Sequence, residues 1–288
     1  MKLYRNFSSS EEIDQEYNLR ARMPGMDETL AEYIAMSEST RDELECELDV
    51  RFGSTLDETV DVFPASRPGS PVLLFIHGGY WRALSAKEFS FVARGFTTHG
   101  FTVAVSNYSL CPKVGMEEIT RQNRAAAAWL AKHAAGFNGD PGHMIMMGHS
   151  AGGHQVGMLA TTDWSGDYGL APDLMKQGIA ISGIYDLEPL RYSYLQPILQ
   201  LDHELIRRQS PCRNIPQRGP PLLCYAGALE TEEFRRQSGT FCRQWCEAGL
   251  AAEYRERGGE DHFTVVLDLG RPDSNLVREI ITFAGIRG

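Results

Sequence analysis

Gly148-His149-Ser150-Ala151-Gly152 sets a serine between two glycines, after an apolar run from Met144 to Met147 and before helix-forming residues from Gly153 to Ala160. A G-x-S-x-G at a strand-to-helix turn lifts the serine hydroxyl out at the end of a sheet, where it can attack a carbonyl. The flanking glycines are needed because a side chain there would collide with the adjoining strand and helix. The helix that follows aims its N-terminus at the serine and favours negative charge developing there.

Acyl transfer by a serine needs three further things: an oxyanion site, a base and an acid. His77-Gly78-Gly79-Tyr80-Trp81 directly follows the apolar run Val72 to Ile76. A glycine-rich loop at that point brings backbone N–H groups towards the developing oxyanion. The expected donors are Gly78, Gly79 and Tyr80, with Ala151 after the serine; Tyr80 replaces the third glycine of the usual HGGG loop. Of the eight histidines, His262 alone lies late enough for the chain order serine, acid, histidine. Glu230 is the first carboxylate after the strand Leu222 to Tyr225 and is the expected acid, holding the imidazole tautomer. Glu232 and Glu233 stay open as alternatives, although they suit the start of the next helix, and Asp186 falls one strand early. Trp81, His154, Tyr185 and Phe263 are expected to surround a flat, aromatic substrate, although each could equally be core packing.

The elements that must position these residues alternate. Cys46 to Phe52 reads as a half-buried strand, paired through Gly53-Ser54 with a second at Leu56 to Phe63. Val72 to Ile76 is continuously apolar, as in a strand covered on both faces. Further strands are expected at 101–105, 144–147, 178–182, 222–225 and 251–255, with helices at 86–99, 116–134, 232–247 and 274–284. This predicts one α/β domain with a mostly parallel sheet, an antiparallel N-terminal edge and helices on both faces. Residues 1–40 read as a charged helical arm broken at Met23-Pro24-Gly25. Residues 187–216 interrupt the alternation and read as a small cap over the ligand crevice at the strands' C-terminal ends.

The chain has 288 residues and a formal net charge of −10, from 28 basic and 38 acidic groups. An acidic chain without a basic stripe argues against nucleic acid and anionic membranes as partners. No apolar leader opens the sequence and no run approaches a membrane span, so a cytoplasmic protein is expected. The six scattered cysteines read as free thiols. Cys242 and Cys246 share a helical face without completing a metal set, so no metal or cofactor is expected. A small molecule is the expected partner. A homodimer is compatible with the sequence, which does not determine oligomeric state.

These motifs resemble the α/β-hydrolase superfamily and, more narrowly, the arylformamidase (kynurenine formamidase) family. The resemblance rests on HGGYW at 77–81, GHSAGGH at 148–154, SGIYDLEPL at 182–190, the stretch from Gly227 through Glu230 to Phe234 with Gln237-Ser238, and His262-Phe263; it extends to Tyr17-Asn18. It implies an α/β-hydrolase fold and a metal-independent serine hydrolase that cleaves N-formylkynurenine to formate and kynurenine. Glu230 stands where that family usually carries Asp. The alternatives are a carboxylesterase, or an amidase or carbamate hydrolase, acting on another small substrate. A binding protein without turnover on the same fold is less consistent with an intact elbow, oxyanion loop and late acid–histidine pair.

Overall fold

The pleat of a strand sends alternate residues to opposite faces of the sheet. In a computed structural model, which describes residues 2–286, eight strands form one sheet in the order β1-β2-β4-β3-β5-β6-β7-β8. They are β1 (Glu47–Arg51), β2 (Thr59–Phe63), β3 (Ser70–Ile76), β4 (Thr102–Ser106), β5 (Gly139–His149), β6 (Met175–Ile181), β7 (Leu222–Gly227) and β8 (Ala252–Arg257). From β4 to β8 every neighbouring pair is parallel, whereas β2 runs antiparallel to both β1 and β4. The mostly parallel sheet with an antiparallel N-terminal edge is therefore as expected.

The helices are α1 (Ser10–Tyr17), α2 (Leu19–Arg22), α3 (Met26–Glu43), α4 (Phe91–Thr97), α5 (Met116–His133), α6 (Ala151–Ala160), α7 (Trp164–Tyr168), α8 (Gln196–Leu199), α9 (His203–Gln209), α10 (Glu232–Glu247) and α11 (Asn275–Phe283). On β3, Val72, Leu74 and Ile76 enter one apolar layer with α5, α6 and α10; Leu73 and Phe75 enter the other with α3, α4 and α11. Successive strand side chains point to opposite faces, so a run apolar at every position is buried by helices on both sides.

Three local expectations are corrected. β1 is an exposed edge, not half-buried: Leu48 is 43% exposed, and the register slips between Glu47 and Val50. A slip of this kind at a sheet edge disfavours further strand pairing. The second strand starts at Thr59, because residues 53–58 form the connection and Leu56 points into solvent. The helix expected over 86–99 is a 3₁₀ turn at Ala86–Phe89 followed by α4, and α7 was not foreseen.

The junction of β5 and α6 depends on missing side chains. A Cβ on Gly152 would overlap the carbonyl of Ile76 at the end of β3, and one on Gly148 would overlap the Gly152 backbone. Both glycines let α6 sit against the sheet at backbone contact distance. Gly152→Ala should therefore destabilise the protein by about 1–3 kcal/mol or more, as overpacking does. Gly136→Ala, where the added Cβ meets open space, should change stability by under ~0.5 kcal/mol. Urea midpoints of the two variants check this; equal midpoints would refute the close approach.

Candidate active site

Ser150 sits between β5 and α6 with φ 56° and ψ −116°, a conformation that non-glycine residues rarely adopt. Such a conformation costs on the order of 1–3 kcal/mol and persists only where its surroundings enforce it. Here the Ser150 N–H donates to the Ile181 carbonyl (2.8 Å), and the Ser150 carbonyl accepts the His154 N–H (3.0 Å). The strain holds the side chain at the floor of a cavity of about 400 Å³ that His149 and His262 also line.

His262 lies in the loop after β8, and its carbonyl accepts a hydrogen bond from His149 Nε2 (2.8 Å). Its Nδ1 is 2.8 Å from Glu230 Oε2. Glu230 Oε1 accepts both the Ser182 hydroxyl (2.5 Å) and the Gly227 N–H (2.6 Å). With both oxygens engaged, the carboxylate has one orientation, and Nδ1–H is the tautomer that satisfies it. Nε2 is then left unprotonated. The competing carboxylates are committed elsewhere. Glu232 is exposed, and Asp186 pairs with Arg213 (2.8 Å) and accepts the Tyr4 hydroxyl (3.1 Å). Glu233 is not a helix-start carboxylate facing solvent: it is buried, accepts the Tyr17 hydroxyl (2.9 Å) and pairs with Arg236 (2.5 Å).

The loop after β3 turns through positive φ at Gly79 (113°), Tyr80 (49°) and Trp81 (57°). Among the described residues, the N–H groups of Gly78, Gly79, Tyr80 and Ala151 donate to no backbone carbonyl outside regular elements. Gly79 and Tyr80 line the cavity with Ser150. A Cβ on Gly78 would stand 3.2 Å from Ser150 Cβ, so this loop passes directly beside the serine. His77 braces it from below: its ring stacks on Tyr108 at 4.0 Å, and Nδ1 donates to the Gly78 carbonyl (2.7 Å).

Of the four residues expected around the substrate, Phe263 lines the cavity. The other three pack into the core. Trp81 is fully buried, edge-on to His154 at 5.0 Å, and His154 Nε2 donates to the Gln209 carbonyl (2.6 Å). Tyr185 stacks on Phe241 at 4.3 Å. Sequence adjacency to Tyr80 or Ser150 did not fix the direction of these side chains.

The N-terminal arm forms most of the cavity's roof. It contributes Asn18, Leu19, Arg20, Met26, Leu30 and Tyr33, whereas the insertion at 187–216 contributes Tyr194. The arm is fastened at several points. Tyr80 donates its hydroxyl to the Tyr17 carbonyl (2.7 Å), and the Tyr17 hydroxyl joins Glu233 and Gln237 (2.8 Å). Tyr33 donates its hydroxyl to the Phe263 carbonyl. The only sequence signal for this roof was the Tyr17-Asn18 pair.

All six cysteines are free thiols, and Cys242 and Cys246 donate to backbone carbonyls of the neighbouring strand. Among the described residues, no three His, Cys, Asp or Glu side chains converge as a metal set, and no helix is long and apolar enough to cross a membrane.

With this geometry established, residues 61–232 match the BD-FAE family signature. The chain belongs to the BD-FAE family. It is also 27% identical to the kynurenine formamidase of Danio rerio, across 96% of this chain and 97% of that one. Its structure resembles that of a proposed thioesterase from Silicibacter sp. TM1040, with TM-score 0.83 and 26% identity over 93% and 98% of the two chains. An esterase from Pyrobaculum calidifontis shares the fold, with TM-score 0.70 and 16% identity over 90% of each chain. This BD-FAE member is an α/β-hydrolase-fold enzyme of the hydrolase class.

Burial at the site also sets a pH dependence of stability. Desolvation holds His77 and His154 down to a pKa of about 4 and lowers that of His149 well below the ordinary value. The unfolded chain, with ordinary imidazoles, takes up protons near pH ~6.5. Between the two values the unfolded state binds more protons, so stability falls as pH falls, by about 1.4 kcal/mol per pH unit for each such group. Urea midpoints from about pH 6.5 down to about pH 4 should show this decline, and His154→Gln should make it shallower. An equal slope in the variant would contradict the burial argument.

Proposed function

We propose that this protein is a serine hydrolase of small amides or esters that needs no metal, with N-formylkynurenine as its leading substrate. The observation that carries the reading is the 2.8 Å pairing of His262 Nδ1 with Glu230 Oε2, while His262 shares one cavity with the strained Ser150. Glu230 accepts Nδ1–H, so Nε2 is free to take the Ser150 proton as Oγ attacks the carbonyl. The tetrahedral oxyanion accepts hydrogen bonds from the N–H groups of Gly79, Tyr80 and Ala151, with Gly78 beside them. His262 then protonates the departing amine or alcohol, and a water deprotonated by the same imidazole releases the acid and restores Ser150. A glutamate suits the acid's role because its second oxygen is held by Ser182 and Gly227. The substrate choice is supported by the kynurenine formamidase likeness over nearly the whole chain.

Ser150→Ala should remain folded, lose labelling by a fluorophosphonate probe and lose turnover by several orders of magnitude. Unchanged turnover in a pure preparation would refute the mechanism. Activity should survive a chelator, because no step uses a metal. Hydrolysis of N-formylkynurenine, p-nitrophenyl acetate and a few aryl amides, measured side by side, ranks the substrate classes; an ester-only profile would favour the carboxylesterase reading.

Glu230→Gln keeps the shape but presents an amide to Nδ1 and removes the counter-charge of the imidazolium. Its kcat should fall by up to about 10⁴-fold, as for the equivalent change in serine proteases. Glu232→Gln should cost little, its carboxylate being exposed at the start of α10. The reverse ranking would reassign the acid.

A further inference from the structure

A second serine shares the nucleophile's strained φ. Ser182, the residue after β6, has φ 54°, against 56° for Ser150 after β5. The two turns are linked strand to strand. The Ser150 N–H donates to the Ile181 carbonyl (2.8 Å), and the Ser182 N–H donates to the Tyr225 carbonyl of β7 (2.7 Å). The loop that begins at Ser182 is pinned on two sides. Against α6, a Cβ on Gly153 would stand 3.0 Å from Gly183 Cα. Against α10, Gln237 Oε1 accepts the N–H groups of Tyr185 and Asp186 (2.7 Å each), and its Nε2 donates to the Asp186 carbonyl (3.1 Å).

Glycine would adopt this backbone without steric conflict, so the strain at 182 points to a task for the side chain. Ser182 is fully buried and does not line the cavity, so that task is not contact with a substrate. Its hydroxyl donates to Glu230 Oε1 (2.5 Å), the oxygen that also accepts the Gly227 N–H, while Oε2 faces His262 Nδ1. The last torsion of a glutamate side chain is soft, so a carboxylate held on Oε1 by Gly227 alone can turn, and the imidazole turns with it. Resting on the serine-hydrolase reading, we propose that Ser182 is a positioning residue of the triad. Its hydroxyl fixes the rotation of the Glu230 carboxylate, and the acid is a glutamate because the side chain one carbon shorter does not reach Ser182, Gly227 and His262 together.

The test measures kcat, KM and urea midpoints for wild type, Ser182→Ala and Ser182→Gly with p-nitrophenyl acetate, taking Ser150→Ala as the background. Both Ser182 variants lose the hydroxyl, but only glycine suits φ 54°, so Ser182→Gly should have the higher urea midpoint of the two. In both, kcat should fall by about 10- to 100-fold, the loss expected when a charged group gives up one hydrogen bond, with KM close to wild type. A purely structural serine would make activity follow stability, so a wild-type kcat in Ser182→Gly overturns the proposal. Glu230→Asp should cost much less in the Ser182→Gly background than in wild type, because the hydrogen bond it breaks is already absent; additive losses overturn the coupling. Proton NMR of the imidazole N–H that His262 shares with Glu230, identified by its loss in Glu230→Gln, reads the same geometry without turnover. That signal should shift or broaden in Ser182→Gly, and an unmoved signal overturns the proposal. Wild type that hydrolyses neither esters nor amides would end the hydrolase reading, while the NMR comparison would still decide what Ser182 does.

Discussion

Ser150 can hold φ 56° only because nothing occupies the Cβ positions at 148 and 152. The packing of α6 onto the ends of β3 and β5 leaves room there for backbone alone, and that contact forces the turn. Everything else at the site is placed relative to it. The loop after β3 passes beside the serine because Gly78 also lacks a side chain, and the loop after β8 reaches it because His149, the residue before the serine, holds the His262 carbonyl. The strain is therefore supported by backbone-to-backbone packing, not tolerated in a loose loop.

What was legible in the sequence was local. The serine turn, the loop at 77–81 and the order of acid and histidine are each written in contiguous residues whose backbone demands leave few alternatives. Glu230 could be singled out because it stands first after β7, whereas the surroundings of its neighbours, solvent for Glu232 and Tyr17 with Arg236 for Glu233, are not written in the residues beside them. What was not legible depends on side-chain direction and on distant pairing. Trp81 follows Tyr80 directly, yet Tyr80 lines the cavity and Trp81 turns into the core against His154. The insertion at 187–216 drew attention by breaking the alternation, but its leucines at 187, 190, 195 and 199 are buried in the core.

The roof illustrates the same point energetically. Arm residues 10–43 form helices with many charges, and α3 fully buries only Tyr33, Ser37 and Thr40, so no strong apolar stripe marks where it docks. Their position is decided by a buried polar cluster in which Tyr17, Glu233, Arg236 and Gln237 satisfy one another. A charge so placed is stable only while its partners are present. The arm is thus part of the site's architecture, although it precedes the first strand of the sheet.

That arrangement has a consequence for how the chain is made. Tyr17 and its partner Glu233 are 216 residues apart. At a synthesis rate of about 5–20 residues per second, the arm leaves the ribosome roughly 10–40 s before α10 exists to receive it. During that interval Ile13, Tyr17, Leu19 and Met23, all buried in the finished fold, have no surface to bury against. The segment that roofs the site is thus made well before the helix that fastens it, and its aromatic and aliphatic side chains stay without that partner for the interval.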